Sequence, residues 1–240
     1  MHNAAFRALG MDWTYELMDV APAGLALAVE RLRDDDVAGA NVTIPHKQAV
    51  MERMDAVEAE AVRARAVNTI KREGQRLIGS NTDIAAIRAA VAEAGVDPKG
   101  AAVVILGAGG SARAAAVAVE GARVTFVSRH PDDVDVPGHV IAWDDPSAAS
   151  LTRSADLLIN ATPLGRRDEM PIRPGALPRA GAVLDLVYVT GGTPLVRKAR
   201  SLGLKAVDGW RVLLEQGVRS FEIWTSLAAP LAAMRETLDS

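Results

Sequence analysis

The chain has 240 residues, of which 49% are hydrophobic and 24% charged, with a formal net charge of −3 and no cysteine. That apolar content suffices for buried cores, and the length exceeds one average domain without demanding two complete ones. Mixed charge gives no basic face for nucleic acid, absent cysteines exclude disulfides and thiolate metal sites, and no run of 18 apolar residues or basic-then-apolar leader is seen, so a globular, soluble, cytoplasmic protein without a membrane span is expected.

Apolar periodicity predicts a helix over 3–9 closed by Gly10, a strand over 13–18, a helix over 25–33 and a strand over 37–42. Helices are expected over 48–54 and 56–65, two short strands over 67–71 and 76–79 across a turn at Glu73-Gly74, and a long helix over 83–94. Residues 95–100, rich in Gly, Pro and Asp, read as a linker. Beyond it come strands at 102–106, 123–128, 140–142, 156–159 and 181–186, helices over 112–119 and 194–202, and a long helix over 212–226 followed by a short one. Strands alternating with helices predict an α/β fold with mainly parallel strands. The terminal helices have no strand of their own to cover, so they are expected to return to the first domain and make it discontinuous.

The run Gly107-Ala108-Gly109-Gly110-Ser111-Ala112 stands between the apolar strand at 102–106 and the Ala-rich helix after it. In a dinucleotide fingerprint the first glycine makes the tight turn, the second lets backbone approach a pyrophosphate, and the third small residue packs helix on strand. The next strand ends in Arg129, where an acidic residue would bind the ribose hydroxyls of NAD; arginine points to a 2′-phosphate and hence to NADP. The plainer alternative is a tight strand-to-helix turn with a solvated arginine.

Asn41-Val42-Thr43-Ile44-Pro45-His46-Lys47 puts polar residues where Pro45 stops a strand, and ligands of open α/β sheets bind at such carboxyl ends. Asn81-Thr82-Asp83 opens the following long helix, and Asn68-Thr69 interrupts a short strand. A lysine and an aspartate near a nicotinamide form a proton-transfer pair for an alcohol-to-ketone oxidation. Chemistry alone leaves the alternatives open, since Asp83 also reads as a helix N-cap and Lys47 as a solvated cation.

The blocks at 39–47, Ala66-Val67-Asn68-Thr69, Gly79-Ser80-Asn81-Thr82-Asp83, the glycine loop, Ile159-Asn160-Ala161-Thr162-Pro163-Leu164-Gly165, Asp185-Leu186-Val187-Tyr188 and Gln216 resemble the shikimate dehydrogenase family in order and spacing, over essentially the whole chain. The resemblance implies a substrate-binding catalytic domain over 1–83, a Rossmann NADP-binding domain over 84–210 and terminal helices over 211–240 that pack on the substrate domain. It implies metal-free, NADP-dependent, reversible reduction of 3-dehydroshikimate to shikimate, on the path to chorismate and the aromatic amino acids, by a monomer or homodimer. Lys47 matches the family's catalytic lysine and Asp83 its partner, while Thr43, Asn68, Tyr188 and Gln216 match substrate-binding positions. Gly107 to Ala112, Arg129, Thr162 and Gly209 match cofactor-binding positions. Alternatives within reach are an NAD-using quinate/shikimate dehydrogenase, a paralogue for a related ring acid, and a non-catalytic NADP-binding module.

The chain departs from the family pattern at Ala86, Arg166, Thr190 and Val212, and Ser128-Arg129-His130 matches the 2′-phosphate segment only at its arginine. The family's first strand and its Ser-x-Ser carboxylate-binding segment precede the equivalent of Asn3-Ala4-Ala5-Phe6 and have no counterpart here, so an upstream extension of the natural polypeptide is expected.

Overall fold

In the computed structural model, which describes residues 1–133, 136 and 138–238, the chain opens on helix α1 (His2–Ala8) with Ala5 and Phe6 buried. The expected strand at 13–18 is not one. Tyr15 spends its backbone N–H and C=O on the side chain of Asn3, at 2.6 and 3.0 Å, and a strand without a ladder partner is not a strand. Helix α2 (Leu25–Arg31) turns Leu25 and Val29 inward, and its C-cap residue Leu32 continues the same buried face. Strand β1 is only Gly39–Asn41.

The helix expected at 48–54 is a series of turns ending in a 3₁₀ turn at Met51–Arg53, and the one expected at 56–65 splits into strand β2 (Ala56–Val57) and helix α3 (Ala59–Ala64). Arg65, in the left-handed region with φ 48°, ends α3. Strands β3 (Thr69–Glu73) and β4 (Arg76–Ser80) form a hairpin, and helix α4 spans Thr82–Glu93. The sheet order is β1-β3-β4-β2, and a mainly parallel sheet is corrected here to a mixed one: β1–β3 and β3–β4 are antiparallel, and β2–β4 is parallel. A two-residue turn at 74–75 can only join antiparallel neighbours.

After α4 come β5 (Ala102–Leu106), α5 (Gly110–Ala118), β6 (Arg123–Ser128), β7 (His139–Ala142), α6 (Ala148–Ser154), β8 (Leu157–Asn160), β9 (Ala182–Asp185), α7 (Pro194–Ser201) and β10 (Ala206–Val207). Helix α6 and strand β10 have no counterpart in the sequence reading. All five strand pairings are parallel in the order β10-β9-β8-β5-β6-β7. Counted from β5 this is the order 3-2-1-4-5-6 of a doubly wound dinucleotide-binding sheet, which reverses between β5 and β8. Helices α8 (Gly209–Thr225) and α9 (Leu231–Glu236) finish the chain, and the last two residues of the expected terminal stretch lie outside the described residues.

Two units result: Met1–Thr82 with Leu214–Ser240, and Asp83–Leu213. In the first, Leu25, Val29, Val50, Val67, Ile70 and Leu77 form one core, and Ala5, Phe6, Leu214, Phe221 and Met234 another, so the terminal helices complete this unit. In the second, Val104, Leu106, Val127, Leu158, Val183 and Leu195 pack between sheet and helices. No helix among the described residues is long and apolar enough to cross a membrane.

Candidate active site

In the first unit, the segment after β1 is fastened at both ends. Val42 N donates to Asn68 O and Val67 N donates to Lys47 O, each at 2.8 Å. Thr43, which is exposed, and Lys47, half-buried, therefore share one end of the sheet with Asn68, which is 2% exposed. The Asn68 carboxamide is held by its oxygen: Oδ1 accepts from Thr82 N at 2.8 Å, Thr82 Oγ1 at 3.2 Å and Thr69 Oγ1 at 3.0 Å. Those donors decide which end is oxygen and turn Nδ2 to the opposite edge.

Behind Asn68 lies a hydroxyl cluster the sequence did not reveal. Thr69 Oγ1 meets Thr82 Oγ1 at 3.1 Å and Ser220 Oγ at 3.0 Å, and Asn41 Nδ2 donates to Ser220 Oγ at 2.9 Å and to Thr69 Oγ1 at 3.1 Å. Ser220 also donates to Gln216 O at 2.9 Å, one turn earlier on α8, so the helix that carries Gln216 is keyed to this cluster. The available signal was the i, i+4 spacing of Gln216 and Ser220. Beside it, Tyr15 donates to Asn41 Oδ1 at 3.3 Å, and the His2 ring lies 4.6 Å from Tyr15 and 5.1 Å from Trp224; burial holds that imidazole down to a pKa of about 4.

The second unit begins with Asp83, buried in the first turn of α4. Gly107 leaves β5 at φ +99°, and a Cβ there would stand 3.1 Å from Thr162 Cγ2 and 3.2 Å from Ala161 O. The Cβ direction of Gly109 is open, and this residue caps α5 without any side-chain hydrogen bond, so Gly110 and Ser111 present first-turn N–H groups of the helix. Ala112 is fully buried, and Ala108 lies in the turn. Arg129 is exposed just past β6.

At the ends of β8 and β9 the fully buried Asp185 accepts from Asn160 Nδ2 at 2.8 Å, Val187 N at 3.0 Å and Thr193 Oγ1 at 2.6 Å. Burial pushes its pKa up to about 6 against those hydrogen bonds, and the nearby Asp208 adds to the rise. Tyr188, 40% exposed, lies 5.0 Å from the Trp210 ring, and Trp210 Nε1 donates to Val189 O at 3.2 Å. A Cβ on Gly209 would come within 2.7 Å of Leu186 O and Val187 O, so only glycine lets α8 start against this backbone. Arg166 is exposed.

Residues 1–70 match the model of the shikimate dehydrogenase substrate binding domain, and residues 209–238 that of the shikimate 5′-dehydrogenase C-terminal domain. The chain is 41% identical to the shikimate dehydrogenase (NADP(+)) of Methanothermobacter thermautotrophicus, across 99% of this chain and 89% of the relative. It belongs to the shikimate dehydrogenase family. The crystal structure of shikimate 5-dehydrogenase from Thermus thermophilus in complex with NADP(H) and shikimate superimposes with a TM-score of 0.86 at 32% identity, covering 99% of this chain and 92% of that one. The ligand-free 5-ketofructose reductase of Gluconobacter sp. strain CHM43 gives a TM-score of 0.80 at 34% identity, covering 99% and 91%.

Proposed function

We propose that this chain is a shikimate dehydrogenase that reduces the ring ketone of 3-dehydroshikimate with NADPH and runs the reverse oxidation, in the cytoplasm, on the route to chorismate and the aromatic amino acids. The observation that carries the reading is the 41% identity to a shikimate dehydrogenase (NADP(+)) along 99% of the chain. The grouping of Thr43, Lys47 and Asn68 at one sheet end supports it.

The residues of the second unit fit a dinucleotide. The open side of Gly109, the uncapped start of α5 and the exposed Arg129 supply a turn that backbone can offer to a pyrophosphate and a cation for a 2′-phosphate. Thr162 and Gly209 shape the same half. When bound, NADPH supplies the hydride. Lys47 holds the proton at Nζ for the ketone oxygen, and Asp83 works with it as a carboxylate partner. Thr43, Asn68, Tyr188 and Gln216 bind the substrate, with Asn68 offering Nδ2 because its oxygen is committed to Thr82 and Thr69. The enzyme works as a monomer or homodimer.

A second reading comes from the 5-ketofructose reductase at 34% identity, which favours another polyhydroxy ketone as substrate. Initial rates with shikimate and quinate, each with NADP and NAD, and with 5-ketofructose and NADPH, decide between them. Shikimate with NADP is expected to be fastest. Turnover of 5-ketofructose alone would establish the second reading, quinate with NAD would mark a quinate/shikimate dehydrogenase, and NADP binding without turnover would mark a nucleotide-binding module.

A further inference from the structure

We propose that Asp185 is a positioning residue for cofactor binding: its ionised carboxylate holds both loops that follow β8 and β9 and thereby sets the shape of the glycine turn's surroundings. The inference rests on the NADP reading of the second unit. Asp185 is 0% exposed and its two oxygens are shared among three donors, Asn160 Nδ2 and Val187 N on Oδ1 and Thr193 Oγ1 on Oδ2.

Each donor leads to a different piece of backbone. Asn160, itself 0% exposed, also donates to Leu164 O at 2.9 Å and accepts from Thr162 N at 3.1 Å and Thr162 Oγ1 at 2.7 Å, so the whole turn at 161–164 hangs on it. Thr162 in turn is the side chain that a Cβ on Gly107 would press against. Val187 N opens the segment leading to Tyr188, against whose start Gly209 is packed. Thr193 accepts from Val196 N at 3.2 Å and so caps α7.

Asn160 Nδ2 and Val187 N can only donate and Thr193 Oγ1 donates here, so the carboxylate satisfies the set as it stands, whereas the neutral acid must turn its O–H toward Thr193 Oγ1 and reverse that bond. Among the described residues, no cation pairs with Asp185. The flanking charges are Arg197 of α7, taken by Gly192 O and Asp168, Arg200 of α7, taken by Ala206 O and Asp208, Glu169, taken by Gly165 N and Arg167 N, and Asp208, which opposes ionisation. A pKa pushed up to about 6 by burial then puts the change of hydrogen-bonding state at mildly acidic pH.

The test is titration of the full chain with NADP+ at about pH 8 and about pH 5, with shikimate KM measured at saturating cofactor, for the parent, Asp185→Asn, Thr193→Val and Thr193→Ser. At about pH 8, Asp185→Asn is expected to bind NADP+ about tenfold more weakly, ~1.4 kcal/mol, while shikimate KM moves less than about twofold. The parent-to-variant ratio is expected to shrink toward one at about pH 5, a comparison in which the titration of the cofactor's own phosphate cancels. If Asp185→Asn does not fold, the threonine pair decides: weaker NADP+ binding in Thr193→Val, restored in Thr193→Ser, supports the proposal. Parent-like affinity in the folded Asp185→Asn, or a ratio that does not change with pH, overturns it. A parent chain that binds no NADP+ at either pH overturns the cofactor reading and this inference together.

Discussion

Each of the two units holds a buried polar network, and the two networks differ in charge. Around Asn68 the groups are neutral: carboxamides of Asn41 and Asn68 and hydroxyls of Thr69, Thr82 and Ser220, each able to donate or accept. Around Asp185 three donors converge on one carboxylate with no cation in the set. Hydroxyls can rotate to suit a neighbour, so the first network is tolerant of single losses, and the His2 imidazole beside Asn41 is held neutral down to about pH 4 by burial. The second has one acceptor that everything depends on, and its ionisation works against burial. Ionisation near neutral pH thus carries a stability cost at Asp185 that the neutral groups around Asn68 do not.

The largest expected effect breaks the chemistry and spares both networks. Lys47→Ala should lower kcat at least about 100-fold, the scale of lost proton transfer, with NADP+ affinity unchanged in a direct titration. Equal turnover in variant and parent would remove Lys47 from the reaction.

Next comes stability. Burial raises the folded Asp185 pKa to about 6 from its ordinary 3.8, so the folded state binds the extra proton. The stabilisation this proton brings is full below about pH 4 and is lost as pH rises through about 6, on the order of 3 kcal/mol in all. Asp185→Asn carries no such dependence. Its thermal midpoint relative to the parent should therefore climb from about pH 4 to about pH 8, and parallel pH curves for the two proteins would mean that Asp185 titrates normally.

These networks also mark what could be read from the sequence. The glycine turn after β5 and the polar segment after β1 were legible because a few consecutive residues specify them, Gly107 by its turn and Pro45 by stopping a strand. Strand β10 and helix α6 were missed because two apolar residues in one and a short mixed stretch in the other carry no period. The stretch at 13–18 has strand composition, but composition cannot supply a pairing partner. Ser220 drew no reading of its own within the helix over 212–226, and Asp185 only one as part of a family block, because burial and convergence of donors are properties of three dimensions.

Sharper for the cofactor half is Arg129→Ala. A charge-assisted contact to a 2′-phosphate contributes about 1.5–3 kcal/mol, so NADP+ should bind roughly ten- to a hundred-fold more weakly while NAD+ hardly changes. Equal losses for both would show that Arg129 does not read the phosphate. The residue is exposed, so the substitution leaves the core and the Asp185 network untouched.

The smallest effect tests the tolerance of the neutral network. Ser220→Ala removes the Oγ that joins Thr69, Thr82 and Asn41 and that donates to Gln216 O. Asn68 keeps its bond from Thr82 N, so its carboxamide keeps its orientation and loses only the support behind it. Asn41 Nδ2 retains Thr69 Oγ1, which limits the number of groups left unpaired. One net hydrogen bond is worth about 1 kcal/mol, so shikimate KM should rise about fivefold, with NADP+ affinity unchanged and the same ratio at about pH 6 and about pH 8. A pH-dependent ratio would mean that the cluster is coupled to a titrating group and would erase the contrast with Asp185. A loss in kcat alone would instead place Ser220 nearer to proton transfer than its position behind Asn68 implies.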